Sequence, residues 1–88
     1  MEFKVSSATL VPEKNQVVLQ GLPSNGTVKP GMKVRAAASV TPEISGVAMS
    51  MKDGRFEVGL ILQFGSSGEL DAWKSLNVGP GEALTISS

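Results

Sequence analysis

Asp53 and Glu57 stand four residues apart in "KDGRFE", and two neighbouring carboxylates are the equipment of general acid–base hydrolysis. Asp53, however, precedes Gly54 as the first half of a D-G turn, and Glu57 takes an outward position on the strand that follows. The pair reads as solvated structure. Ser6-Ser7 and Ser66-Ser67 offer hydroxyl nucleophiles, but a serine needs a base beside it, and the chain has neither histidine nor cysteine. Ser-His and Cys-His nucleophiles, thiolate zinc sites and disulfides are therefore all excluded. No G-x-x-x-x-G-K-[ST] phosphate loop occurs. The expectation is a protein that is not an enzyme, with no cofactor and no metal.

What remains could bind. Between Glu13 and Glu43 every charge is positive: Lys14, Lys29, Lys33 and Arg35. Lys33 and Arg35 alternate onto one strand face, and Lys29 enters from the preceding turn. Three cations so placed suit a phosphate backbone or an acidic partner, although no aromatic residue is interleaved with them. A solvated face is the plainer account. Trp73, the one tryptophan, is a candidate partner anchor, with capping of a barrel end as its structural alternative. Met49 and Met51 are read as core. The candidate binding surface is thus Lys29, Lys33, Arg35 and Trp73.

Elements must hold these residues in place, and period-two alternation dominates the 88-residue chain. "FEVGLILQF" places Phe56, Val58, Leu60, Leu62 and Phe64 on one face. "KVRAAASV" turns Val34, Ala36, Ala38 and Val40 inward, with Lys33, Arg35, Ala37 and Ser39 outward. "ISGVAMSM" aligns Val47, Met49 and Met51 against Ala48 and Ser50. "FKVSSATL", "QVVLQGL" and "EALTIS" bring the set to about six short strands. Turn residues fall between them: Pro12 and Asn15, "PSNG", "KPG", "TPE" and "KDG". Gly21, inside an apolar run, predicts a bulge or a bend. Only "GELDAWKSL" (68–76) follows a helical period, with Leu70, Trp73 and Leu76 on one side. Many short strands with close turns predict one domain over 1–88, all-β, a small closed or partly closed antiparallel barrel with a helical insertion near 69–76.

"SNGTVKPGMKV" (24–34) and "NVGPGEALTI" (77–86) repeat one device, a proline against a glycine followed at once by a strand. Glycine accepts the positive φ of a sharp turn and proline fixes the residue before it, so both read as structural turns. Eight acids balance eight bases, which leaves no global field for nucleic acid or membrane and little repulsion between copies. No run approaches the ~20 apolar residues of a membrane span, and "MEFKVSSATL" lacks the basic start and apolar block of a signal peptide. The cytoplasm is the expected location.

The order of these pieces resembles the second domain of the translational GTPases, the β-barrel beside the GTP-binding domain in elongation factor Tu and its relatives. The family's opening F-x-V strand is matched by Phe3 to Val5, and its glycine-ended strand by "VVLQG" ending at Gly21. Its G-x-[IV]-K-x-G-x-x-V turn is matched by Gly26-Thr27-Val28-Lys29-Pro30-Gly31-Met32-Lys33-Val34. Gly46-Val47-Ala48-Met49, Val58 to Gly65 and Gly81-Glu82-Ala83-Leu84 match later strands. The resemblance implies a six-stranded barrel associated with translation. It does not carry over the family's contact with the acceptor end of aminoacyl-tRNA, because the acidic and basic side chains used there correspond to Ala48 and Met51. The segment 65–77 is also longer than the family's connection. The functional expectation is a non-catalytic binding module, associated with translation or RNA by resemblance, for a protein or RNA partner. Its alternatives are a structural protein that forms homo-oligomers and an accessory regulatory domain of a separately encoded enzyme.

Overall fold

Period-two alternation becomes six strands in a computed structural model, which describes residues 1–24, 26–36 and 40–87, apart from the Lys52 side chain. The strands are β1 (Glu2–Val11), β2 (Gln16–Pro23), β3 (Lys33–Arg35), β4 (Glu43–Lys52), β5 (Arg55–Gln63) and β6 (Ala83–Ser87), with one helix, α1 (Ser67–Ser75), between the last two. They close into an antiparallel barrel in the order β1-β2-β5-β4-β3-β6. The inward set follows the alternation: Phe3 and Val5, Val17 and Leu19, Val34, Ile44, Leu60 and Leu62, Leu84 and Ile86 are all buried. Each contributes about 1.5–3 kcal/mol by leaving water. Among the described residues no polar or charged side chain is buried, so the barrel interior is purely apolar.

The two proline-glycine stretches are one device used twice. Pro30-Gly31 and Pro80-Gly81 occupy the centres of turns in which Met32 N–H donates to the Lys29 carbonyl and Glu82 N–H to that of Gly79. Gly31 has φ +97° and Gly81 φ +90°, the left-handed third position of a type II turn. Each turn then clamps a strand. Gly81 N–H donates to the Val5 carbonyl and Val5 N–H to that of Glu82; Gly31 N–H donates to the Ile44 carbonyl and Ile44 N–H to that of Met32. Just beyond each clamp a serine is squeezed out of register, Ser6 between Val5 and Ser7 and Ser45 between Ile44 and Gly46. Both hydroxyls turn back to a carbonyl on the facing strand, of Gln20 at 3.0 Å and Ile61 at 3.2 Å. The barrel is therefore two interlocked halves, β1-β2-β3 and β4-β5-β6, related by an approximate two-fold axis.

Two expectations change. Among the described residues of "KVRAAASV" the strand covers Lys33–Arg35, and Ala36 N–H turns back to the Val40 carbonyl. The facing expected of Ala37, Ala38 and Ser39 lies outside the described residues. The helix begins two residues earlier than 69. Ser66 is its N-cap, its Oγ accepting from Glu69 N–H, while the Glu69 carboxylate accepts from Gly65 N–H at 3.0 Å. This is the S-x-x-E start signature, displaced by one backbone donor. No helix among the described residues is long and apolar enough to cross a membrane.

Candidate binding surface

The apolar alternation of β4 and β5 continues past the point where the barrel wall ends. β2 accompanies β5 only as far as the Gly21–Val58 pair, and β3 meets β4 in register only at Lys33–Glu43. The two strands nevertheless stay paired out to Lys52–Arg55, where Asp53 (φ 53°) and Gly54 (φ 76°) close the hairpin with both residues left-handed, as a type I′ turn needs. The hairpin tip is thus an arm with no opposing wall. Its face carries on from the interior in cross-strand pairs: Val47 with Leu60, Met49 with Val58, Met51 with Phe56. Leu60 is fully buried, Val47 and Val58 are half-buried, and then the side chains emerge: Met49 is 72%, Met51 64% and Phe56 61% exposed.

Met49 and Met51 are accordingly not core, and Phe56 does not join Leu60 and Leu62 inside. The alternation is right, but the strands outrun the barrel. Leu22, 53% exposed just after Gly21, stands at the foot of the arm. With Pro23 and the loop from Gly26 to Val28 it borders a groove of about 350 Å³, whose other wall is Val47, Met49, Phe56 and Val58. Such a groove suits an apolar side chain.

The opposite face of the arm is polar. Asp53, Arg55 and Glu57 line a cleft of about 410 Å³ with Ser6. Ser6 Oγ lies 2.6 Å from Glu57 Oε2, which ties the β1 bulge to the arm. The structure thus brings the two carboxylates and a serine into one cleft. Among the described residues no imidazole or amine lines the cleft to take the serine proton, and none form a group of metal-ligating side chains. The arrangement fastens strands together.

Lys29, Lys33 and Arg35 are all exposed on one edge of the barrel, as expected. Lys33 sits directly across from Glu43 on β4 and Ser87 on β6, and Arg35 Nε donates to Ser87 Oγ at 3.2 Å. An acid therefore enters the stripe from the neighbouring strand, a pairing that the linear charge order hides. Trp73 is elsewhere and only 3% exposed, packed edge-on against Phe64 with ring centroids 5.8 Å apart. Buried in the core, it is no free anchor, and its role is the packing one. No family model, no curated protein and no solved structure matches this chain. The surface must be read from its own chemistry. Of the residues that linear reading missed, Met49, Met51 and Phe56 carried one usable signal, an apolar alternation that runs to within one residue of the Asp53-Gly54 turn on both sides; Leu22, on β2 next to the inward Gly21, carried none.

Proposed function

We propose that this chain is a non-catalytic binding module that engages its partner through the apolar face of the β4–β5 arm. One observation carries the reading. Of the six large hydrophobics that stand exposed among the described residues, three (Leu22, Met49 and Phe56) line a single groove, and a fourth, Met51, is the cross-strand partner of Phe56. A contiguous exposed apolar patch of this kind marks an interaction site, since leaving it in water gives up hydrophobic stabilisation that a partner restores. Methionines suit such a surface because their unbranched side chains repack to fit. The closed six-stranded barrel and its two proline-glycine turns support a likeness to the second domain of translational GTPases, which favours a cytoplasmic partner from the translation apparatus. Fold likeness alone supports no finer choice.

The test is site-specific photocrosslinking in cells, with a photoreactive benzoylphenylalanine replacing Phe56 in one variant and Lys33 in another. Discrete protein adducts from position 56, lost when Met49 is also changed to Ser, are the expected result. Adducts to RNA from position 33 alone would replace the arm with the basic stripe.

A further inference from the structure

The arm groove has a counterpart in the other half of the barrel, and there α1 stands against it. In the clamps and bulges Gly31 matches Gly81, Ile44 matches Val5 and Ser45 matches Ser6. The cross-strand pair Met49–Val58 therefore corresponds to Leu10–Val17, Val47 to Ala8, and the loop residues Thr27 and Val28 to Asn77 and Val78. Ala8 and Leu10 border a cavity of about 210 Å³ whose other wall is Trp73 and Lys74 of α1, with Asn77 and Val78. The arm groove keeps the loop part of that wall, Thr27 and Val28, with no helix among the described residues beside it. Chain length gives the reason. Three residues, 24–26, join Pro23 to Thr27, whereas twelve, 65–76, join the matching Phe64 to Asn77, and the nine extra equal the length of α1. Exposure follows the helix: Val17 is fully buried and Leu10 43% exposed, while Val58 is half-buried and Met49 72% exposed.

We infer that the arm groove seats a short amphipathic helix of another protein, lying where α1 lies in the other half. The inference rests on the reading of the arm as the binding surface and names the form of its partner. α1 shows what such a helix must present. Leu70 and Trp73, three residues apart on one side, are its buried residues, and the rest of its surface is polar or small. A helix that lays an apolar stripe of this spacing into a groove is a common mode of recognition. Area agrees with a short segment. The exposed parts of Leu22, Met49, Met51 and Phe56 come to roughly 500 Å², below the ~800 Å² per partner of a standard globular interface. A second copy is the poorer occupant, because α1 is the one α-helix among the described residues and its apolar side is already buried in its own barrel.

The probe is a synthetic peptide of residues 65–76 of this chain, held helical by a hydrocarbon staple between positions 71 and 75, which are exposed in α1. It is titrated into the full chain carrying ¹³C-methyl methionine. The Met49 methyl should shift saturably and upfield, because the peptide's indole comes to lie beside it as Trp73 lies beside Leu10. The Met32 methyl, packed against the barrel core, should stay in place. Affinity, read from the anisotropy of the labelled peptide, should fall at least about tenfold for the Met49→Lys, Phe56→Lys chain. Dichroism of that variant should match the parent, since both side chains are exposed. Two control peptides should not bind: one with Leu70→Ser and Trp73→Ser, and an unstapled one with Asp71→Pro, which keeps the apolar residues but cannot hold the helix. Equal binding by the proline peptide, or a Met49 methyl unmoved by the stapled one, would overturn the helical occupant. So would a Met49 methyl that shifts on dilution of the chain alone together with a dimer in light scattering. If position 56 still forms protein adducts in cells, the arm reading survives any of these results; without adducts, both readings fall.

Discussion

A Cβ placed on Gly21 would lie 1.9 Å from the carbonyl oxygen of Lys4, well inside any allowed contact, and the obstructing atom is backbone that cannot swing aside. At Gly31 and Gly81 the constraint is of another kind. Nothing stands within 4 Å of a Cβ added at either, but φ of +97° and +90° penalises any side chain. Two costs of different origin should rank the variants. Gly21→Ala should lose about 3 kcal/mol, because β1 and β2 must separate. Gly31→Val and Gly81→Val should each lose about 1–2 kcal/mol. Urea midpoints check the order, and equal midpoints for all three would show that the strand approach at Gly21 relaxes freely. All three glycines were legible in the sequence as special positions. Their reasons were legible only for the turns, where proline stands alongside; the approach of Lys4 is a fact of pairing between distant strands.

At the level of elements, β4 and β5 each have a barrel portion and an arm portion with the same alternation but different surroundings. Leu60→Ala, fully buried in the barrel portion, should cost about 2–5 kcal/mol. Phe56→Ser, four residues away on the same face, should change the stability read from the urea midpoint by no more than about 0.5 kcal/mol. A large loss from Phe56→Ser would mean that the arm is packed rather than exposed. This boundary explains why strand positions were readable and Met49, Met51 and Phe56 were not. Period two reports which face a residue occupies, and whether that face has anything opposite it depends on where β2 and β3 stop. β3 makes the converse point. Its outward Lys33 and Arg35 were readable, whereas Glu43 beside Lys33 comes from antiparallel pairing with β4. If the stripe holds RNA through Lys29, Lys33 and Arg35, single-strand binding should show a log–log salt slope of about −2. Lys33→Glu with Arg35→Glu should then abolish it with the dichroism unchanged. Wild-type affinity in that variant, measured by fluorescence anisotropy, would exclude the stripe.

Over the whole molecule, each half supplies a hairpin, a bulged serine and a proline-glycine turn, and each half's turn clamps a strand of the other half: Gly81 holds Val5, Gly31 holds Ile44. The six strands were countable from the sequence, and the repeated turn was visible in it, but the axis relating the halves emerges only from those backbone bonds. The two ends of the chain also run side by side, the Met1 carbonyl accepting from Ile86 N–H at 2.7 Å and the Met1 amine lying 3.4 Å from the Ile86 carbonyl. The order in which the halves are synthesised is therefore immaterial to the barrel. A circular permutant, with the ends joined by a short flexible peptide and the chain opened between β3 and β4, would read β4-β5-α1-β6-β1-β2-β3 and recreate every strand pair. It should refold with the parent's far-ultraviolet dichroism and with Trp73 emission still that of a buried indole. Opening inside β5 instead, between Leu60 and Leu62, should leave no folded product, because that cut divides a half rather than separating two.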